Sequence, residues 1–305
     1  MIVLVFFIVL FPFADTKNNR INILERRPDM VVPSDSTSLF VAISVSAVNK
    51  FNARGSDYLE ASVLTALNWK HMGFTPIVLI ITGMKPSLKA QYVKHELHKT
   101  HSIRVEIIKV PHSFVYVAQR CRLAAAHFLN ATEGYLRLTD ADMLVGNSKA
   151  FGAYTGGIHI FNGLCGRGEY PMHSIGMSLA LWRQYFNASL CSPSILTQTL
   201  THSGIGWTGD QQLVTRVIQE EMKMIPLSLS SHSRCRLHPN DSLSKCGPPD
   251  DVHLAGFTMK SHFEWTCDAC EFFNLTSPAD NIKILLGKIY NQTEKENSTV
   301  LDTHE

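Results

Sequence analysis

Apolar, strand-like runs alternate with helix-like segments through the first half of this chain, and that alternation is the strongest constraint on its fold. The first run, LFVAISV, is rich in β-branched residues, which is typical of a buried strand. Strands that alternate with helices form a mostly parallel sheet with helices on both of its faces. The sequence therefore predicts an α/β fold. The predicted strands are residues 39–45, 76–81, 103–110 and 135–139, and the predicted helices between them are residues 57–72, 86–98 and 113–129.

Two aspartates follow the fourth predicted strand directly. Asp140 and Asp142 are separated by one residue in the run LRLTDADMLV, where the strand predicted over residues 135–139 ends. Ligands of such sheets bind beyond the carboxyl ends of the strands. Two carboxylates at this spacing on a tight turn can converge on one hard cation, which can neutralise a substrate diphosphate. An Asx-type turn with solvated carboxylates is the alternative, and the position at a strand end favours the metal site.

A second polar segment surrounds His253. A histidine that follows a turn can complete a mixed oxygen and nitrogen metal site with carboxylates. Gly256 lets the backbone approach a phosphate closely, and Lys260 can neutralise a phosphate as a point charge. The alternative is a partly buried histidine, one of 14 in the chain, beside a solvated lysine.

Two more segments carry candidate ligand-binding side chains on helices. Asp210 and Gln211 stand at the start of a helix predicted over residues 209–224, where they suit hydrogen bonds to sugar hydroxyls at the rim of a pocket. Arg122 lies on the predicted helix before the aspartate pair and can reach a diphosphate or a nucleobase. The alternatives are a helix cap for Asp210 and a salt bridge on a helix face for Arg122.

These four pieces, in this order, resemble the GT-A nucleotide-sugar transferases of the glycogenin and lipopolysaccharide-galactosyltransferase type. The resemblance covers roughly residues 39–260. The family's Asp-Gln-Asp is Asp-Gln-Gln in this chain, and its Lys-Pro-Trp is Lys-Ser-His, which leaves the donor, the acceptor and the anomeric outcome open. The matching residues are Arg122-Leu123, the run from Asp140 to Val145, Asp210-Gln211, and His253 with Gly256 and Lys260.

The resemblance implies a fold, a cofactor and a reaction. The fold is a GT-A, Rossmann-like, mostly parallel sheet with helices on both faces, and the cofactor is Mn²⁺ or another divalent cation. The reaction moves a sugar from a nucleoside-diphosphate sugar to a glycan, protein or lipid acceptor. The implied metal ligands are Asp140, Asp142 and His253, the donor-binding residues are Arg122, Asp140, Gly256 and Lys260, and the catalytic residues are Asp210 and Gln211.

The N-terminal run, the sequons and the cysteines predict passage through the secretory pathway. The apolar run MIVLVFFIVLFPF is shorter than a membrane span of roughly 20 residues and matches the core of a signal peptide or a short signal anchor. Seven cysteines, for which structural disulfides are expected, and six N-x-Ser/Thr sequons indicate an oxidising lumen. The expected location is the Golgi or endoplasmic reticulum, in a secreted or type II membrane-anchored form. The predicted organisation is residues 1–14 signal peptide or anchor, 15–37 stem or linker, 38–275 GT-A domain and 276–305 polar tail.

Two other classes of protein remain as alternatives. A secreted, non-catalytic glycoprotein with a transferase-like fold would bind metal and nucleotide sugar without turnover. A haloacid-dehalogenase-type phosphohydrolase also carries Asp-x-Asp after a strand, but near the start of its domain, and here three predicted strands precede the pair. The net charge of +2, without a long Lys/Arg run, gives no reason to expect a nucleic acid as partner.

Overall fold

A computed structural model describes residues 37–47, 57–146, 151, 157–161, 168–192, 209–230, 234–237 and 251–254. Its α-helices are α1 (Tyr58–His71), α2 (Leu88–His101), α3 (Phe114–Cys121), α4 (Leu179–Tyr185) and α5 (Gly209–Arg216). Turns of 3-10 helix cover Arg122–Phe128, Met172–Ser174 and Ala188–Cys191, and a π-helical turn covers Val217–Glu221. The strands are β1 (Leu39–Ser46), β2 (Thr75–Thr82), β3 (Arg104–Lys109), β4 (Tyr135–Leu138), β5 (Met143–Val145), β6 (Ile158–Phe161), β7 (Ile175–Ser178), β8 (Leu227–Ser230), β9 (Arg234–Leu237) and β10 (Asp251–Leu254).

Seven of these strands form one mixed sheet in the order β3-β2-β1-β4-β7-β6-β8. The pairs β1–β2, β2–β3, β1–β4 and β6–β8 are parallel, whereas β7 runs antiparallel to both β4 and β6. The predicted α/β class with a mostly parallel sheet is confirmed. β1 and β4 are parallel neighbours in the middle of the sheet, and Leu138, the last residue of β4, lies opposite Ala42 of β1, so the chain after Leu138 leaves the sheet on the side of the carboxyl ends of these strands.

The other three strands form a smaller sheet in the order β5-β10-β9. β5 begins directly after Asp142 and pairs antiparallel with β10, so that Met143 lies opposite His253 and Val145 lies opposite Asp251. This pairing places residue 253 beside the aspartates, although the two segments are far apart in the sequence. Strand pairing therefore fixes one wall of the candidate site.

Apolar side chains of the central strands pack against helices on both faces of the large sheet. In β2, Val78 and Ile80 pack with buried side chains of α1 and α2. Ile77, Leu79 and Ile81 belong to the opposite face and pack with buried side chains of α3, α4 and α5. All five are fully buried, as expected for a strand inside a sheet that is covered on both sides. The predicted arrangement of helices on both faces is confirmed.

The helix predicted over residues 113–129 differs from the structure. It is α-helical only as far as Cys121 and continues as a 3-10 helix over Arg122–Phe128. The change falls where tertiary bonds hold the chain, because Cys121 forms a disulfide with Cys191 and the next residue lies in a buried ion pair. Tertiary contacts override helix propensity at this point. The helix predicted over residues 209–224 likewise becomes a π-helical turn after α5.

Several predictions fall outside the described residues. These are the signal peptide or anchor, most of the stem, the polar tail and four of the six sequons. The other two sequon asparagines, Asn130 and Asn187, are exposed. A disulfide joins Cys121 to Cys191, so the expected disulfide bonding is confirmed by this pair. Among helices in the described part of the chain, none is both long and apolar enough to span a bilayer.

A buried chain of hydrogen bonds joins three strands of the large sheet. Arg137 of β4 is fully buried, and its guanidinium lies 4.9 Å from the centroid of the Phe161 ring. Arg137 Nη2 donates to His159 Nδ1 at 3.3 Å, and His159 Nε2 donates to Ser230 Oγ at 2.8 Å. Because Nδ1 accepts this bond, the ring is the neutral tautomer with its proton on Nε2. Burial, and then the charge of Arg137, lower the pKa of His159 to about 3.

Replacing His159 should make the stability of the protein less sensitive to acid. The unfolded chain protonates this imidazole below about pH 6.5, whereas the folded protein does so only near pH 3. The neutral imidazole of His159 therefore makes its full contribution to the free energy of unfolding above about pH 6.5, and this contribution is lost as the pH falls toward 3. Urea unfolding gives the free energy of unfolding at each pH. Between about pH 4 and pH 6, we expect the decrease of that free energy with falling pH to be smaller in His159→Gln, by up to about 1.4 kcal/mol per pH unit. The exposed His112→Gln is the control, and an unchanged slope in His159→Gln contradicts the assignment.

Candidate functional site

The turn after β4 presents the two aspartates at the carboxyl edge of the large sheet. The Thr139 amide donates to the Ala42 carbonyl of β1 at 3.1 Å, so strand pairing continues up to the residue before Asp140. β5 begins directly after Asp142, which leaves only a tight turn between the two sheets. Asp140 is half-buried and Asp142 is 3 % exposed. The pair therefore combines one accessible carboxylate with one enclosed carboxylate.

Asp140, Asp142 and His253 converge on one point. Each offers one ligand atom, and these three atoms all lie within 4.8 Å of one another. His253 Nε2 is 3.0 Å from Asp142 Oδ2, while Asp142 Oδ1 is buried and accepts no hydrogen bond from the described residues. A buried carboxylate oxygen without a donor is unfavourable unless a cation binds it. Two carboxylates and one imidazole suit Mn²⁺ or a similar divalent cation, so these residues fit the metal that the sequence predicts.

Arg122 joins the accessible aspartate to a third carboxylate. Its Nη1 donates to Asp140 Oδ1 at 2.6 Å, and its Nε donates to Asp210 Oδ2 at 2.9 Å, an oxygen that also accepts from Nη2. Both Arg122 and Asp210 are buried. Burial alone would lower the pKa of Arg122, but the two carboxylates raise it above its ordinary value. The guanidinium is therefore permanently charged, and it fixes the positions of both carboxylates.

His173 also contacts Asp140, although the sequence did not predict it as a site residue. Its Nδ1 is 3.5 Å from Asp140 Oδ2, and it belongs to the 3-10 helix that precedes β7. Burial alone would raise the pKa of Asp140, but the hydrogen bond from His173 and the charge of Arg122 hold it well below its usual range. Asp140 is therefore ionised, as a metal ligand must be. The only trace of His173 in the sequence is a stretch rich in Gly and His, which does not single out one residue.

The structure brings most of the predicted site residues together and corrects the position of one of them. Asp210 was predicted at the rim of a pocket, but it is 1 % exposed, because its charge is neutralised inside the protein by Arg122. Its Oδ1 accepts the Gln211 amide at 2.8 Å, and Asp210 is the second residue of α5, so it lies inside the helix and not at the capping position before it. Gly256 and Lys260 lie outside the described residues, and their donor-binding role stays a prediction.

Comparisons with known proteins give structural similarity without a sequence match. No protein-family model and no curated protein sequence matches the chain. Among solved structures, it is similar to the galactosyltransferase LgtC in complex with donor and acceptor sugar analogs, with a TM-score of 0.44 and 11% identity over 82% of this chain and 96% of that one. It is also similar to the glycosyltransferase GlyE of Streptococcus pneumoniae TIGR4, with a TM-score of 0.45 and 10% identity over 84% of this chain and 64% of that one.

A third similar structure is mouse xyloside xylosyltransferase 1, with a TM-score of 0.37 and 12% identity over 71% of this chain and 96% of that one. These three solved proteins are transferases of sugars. At such low identities and TM-scores, the roles of individual residues rest on the geometry of the site alone.

Neutralising Asp142 should abolish most of the increase in melting temperature that Mn²⁺ causes, without unfolding the protein. Its buried Oδ1 has no described donor, and an amide is less costly to bury than a charge, so Asp142→Asn should melt at the same or a higher temperature than the wild type without metal. A ligand at a hundred times its dissociation constant adds about 2.7 kcal/mol to the free energy of unfolding. We expect Mn²⁺ to raise the melting temperature of the wild type and not that of Asp142→Asn.

A matched control is Glu106→Gln, which neutralises a carboxylate on the edge strand β3. This variant should keep the full Mn²⁺-dependent increase in melting temperature. The metal assignment is wrong if Asp142→Asn keeps that increase as well.

Proposed function

We propose that this chain is a metal-dependent glycosyltransferase that uses a nucleoside-diphosphate sugar as donor. One observation carries the proposal: two carboxylates and one imidazole converge at the carboxyl end of the central strand β4, with their ligand atoms within 4.8 Å. Ligands of α/β sheets bind at this edge. The order of the motifs along the chain, which resembles that of the GT-A transferases, supports the same reaction.

The leaving group of this reaction is a nucleoside diphosphate, which carries negative charges close together. When bound, a divalent cation supplies positive charge to that group as the glycosidic bond breaks. In the proposal, Asp140, Asp142 and His253 hold the cation, and Arg122 keeps Asp140 ionised and in place. In addition to the cation, the ammonium group of Lys260 neutralises the diphosphate as a point charge, as the sequence predicts.

Asp210 acts on the donor site through Arg122 in this proposal. Its two oxygens accept hydrogen bonds from Arg122 and from the Gln211 amide, and the side chain is buried. A carboxylate in that state has no free path to an acceptor hydroxyl, so it is unsuited to be the general base. In this proposal Asp210 positions Arg122 in place of the catalytic role that the sequence predicts, and Gln211 keeps its predicted contact with the sugar.

The phosphohydrolase alternative requires the first aspartate of the pair to be a nucleophile. Asp140 is instead bound by Arg122 at 2.6 Å and approached by His173 at 3.5 Å. The strands β1, β2 and β3 also precede Asp140 in the chain, whereas the nucleophile of that class lies near the start of its domain, and this order disfavours that class. A non-catalytic binding protein would share the same site and lack only turnover, so it is an outcome of the experiment that follows.

The proposal is tested with a ligand panel followed by a turnover assay. The purified chain is melted with nucleoside diphosphates and nucleotide sugars, each with and without Mn²⁺. We expect one nucleotide to raise the melting temperature only with Mn²⁺, and the matching nucleotide sugar to release nucleoside diphosphate when acceptors are supplied. Arg122→Lys, which keeps the charge and loses the forked geometry, should lower kcat/KM at least about tenfold.

Two results would contradict the proposed glycosyltransferase activity. Binding of a nucleotide sugar without any release of nucleoside diphosphate would favour the non-catalytic binding protein. A well-folded sample that shows no metal-dependent shift with any nucleotide would contradict the donor site itself.

We propose further that the chain passes through the secretory pathway, in a secreted or membrane-anchored form. The disulfide between Cys121 and Cys191 supports this, because disulfides persist in oxidising compartments. The exposure of the sequon residues Asn130 and Asn187 also supports it.

Glycan occupancy tests this location in a eukaryotic host. Thr132→Val and Ser189→Ala each destroy one sequon but keep its asparagine, so Asn130 still accepts from Arg104 at 3.0 Å. Each change should prevent the attachment of one glycan and so increase the electrophoretic mobility by one step. A glycosidase should remove all the glycans from the wild type. A wild-type chain whose mobility does not respond to the glycosidase would contradict the proposal.

A further inference from the structure

We infer that Thr65 and Asn68, two buried polar residues of α1, position the turn that carries Asp140 and Asp142. The inference rests on the proposed function, because it gives these two residues a part in forming the divalent-cation site. They contact neither the predicted donor nor the cation, so they are positioning residues and not catalytic ones.

α1 is buried on most of its surface, so its polar residues need partners inside the protein. Eleven of its 14 residues are buried. Ser62 satisfies its hydroxyl locally, by donating to the Leu59 carbonyl at 2.7 Å. Thr65 and Asn68, three residues apart and therefore on one face of the helix, bond instead to a single distant segment, residues 141–145.

Thr65 holds the peptide between the two aspartates. Its Oγ1 donates to the Ala141 carbonyl at 2.7 Å, and the side chain is fully buried. Ala141 separates Asp140 from Asp142, so the orientation of its peptide group sets the directions in which both carboxylates leave the turn. A threonine inside a helix often donates to the carbonyl four residues earlier, and here the bond goes to the turn. Losing it leaves a buried carbonyl without this donor.

Asn68 bonds to Val145 as a neighbouring strand would. Its Oδ1 accepts from the Val145 amide at 2.6 Å, and its Nδ2 donates to the Val145 carbonyl at 3.1 Å. The other edge of β5 pairs with β10, which carries His253. β5 therefore lies between Asn68 and β10, and this arrangement fixes the spacing between the end of the turn and the histidine.

Apolar side chains alone could hold α1 against β5, so that contact does not explain why Thr65 and Asn68 are polar. Leu64 of α1 and Leu144 of β5 already belong to one apolar cluster, and such contacts are non-directional. Hydrogen bonds depend on direction as well as distance. Buried polar groups on this face of the helix therefore add what apolar packing does not, which is a fixed orientation of the aspartate turn.

The test compares Thr65→Val with Ser62→Ala. The first change keeps the side-chain shape and removes the bond to the turn, whereas the second removes a buried hydroxyl of the same helix that bonds only locally. Binding of Mn²⁺ to the full chain, alone and with UDP or GDP, is measured by the loss of the electron paramagnetic resonance signal of the free ion. We expect about tenfold weaker binding in Thr65→Val, as for partners of metal ligands, and no change in Ser62→Ala. Thr65→Ser restores the hydroxyl and should recover most of the affinity.

A second readout does not depend on metal. Exchange of the Asp142 and Val145 amide hydrogens in the metal-free protein should be faster in Thr65→Val and in Asn68→Asp, which loses the donor to the Val145 carbonyl. It should not change in Ser62→Ala. Unchanged Mn²⁺ affinity in Thr65→Val overturns the inference and leaves the proposed function intact, whatever the exchange rates are. A wild-type chain that binds no Mn²⁺ under any of these conditions overturns the proposed cation site, and the inference with it.

Discussion

The guanidinium of Arg122 is the interaction on which the site depends. Three carboxylates come together at the carboxyl edge of the sheet, and like charges in a partly enclosed place raise the free energy of the ionised forms. Arg122 bonds to two of them, Asp140 at 2.6 Å and Asp210 at 2.9 Å, and so allows both to be ionised side by side. It also joins three elements, the 3-10 helix after α3, the end of β4 and the start of α5. Without it, Asp210 would be a buried charge that has lost its bonded ion-pair partner, a loss that costs about 3–5 kcal/mol in comparable cases.

Strand pairing assembles the rest of the site around that ion pair. The parallel pairing of β4 with β1 delivers the aspartate turn to the middle of the sheet, and the antiparallel pairing of β7 with β4 brings His173 to the same place. The pairing of β5 with β10 brings His253. Because side chains alternate along a strand, a slip of one residue in the pairing of β5 with β10 would turn His253 to the opposite face. The geometry of the candidate site is therefore a property of the backbone as much as of the side chains.

The features that the sequence predicts correctly are those whose evidence is local. Each strand up to the aspartate pair is a short run rich in apolar residues, and Asp57 caps α1 by accepting the Glu60 amide at 3.1 Å. The position of the pair at a strand end is likewise visible in ten consecutive residues. The burial of Asp210 is different, because an acid at a helix start has the same pattern as an exposed cap until its partner, 88 residues earlier, is known. His173 depends on strand order, which no local pattern in the sequence fixes.

Under the proposed function, the charges of the described site explain why a cation is required before a diphosphate can bind. The described site contains three carboxylates, those of Asp140, Asp142 and Asp210, and two guanidiniums. Arg122 bonds to Asp140 and Asp210, and the charge of Arg120 also acts on Asp210. With both histidines neutral, as metal binding requires of His253, this group carries one net negative charge and repels a diphosphate. One divalent cation changes that to one net positive charge. Each unit of charge is worth about 4 kcal/mol at 4 Å near a protein surface, so for the described groups the cation turns repulsion of the diphosphate into attraction. Under the proposed function, the cation therefore binds before the nucleotide or together with it.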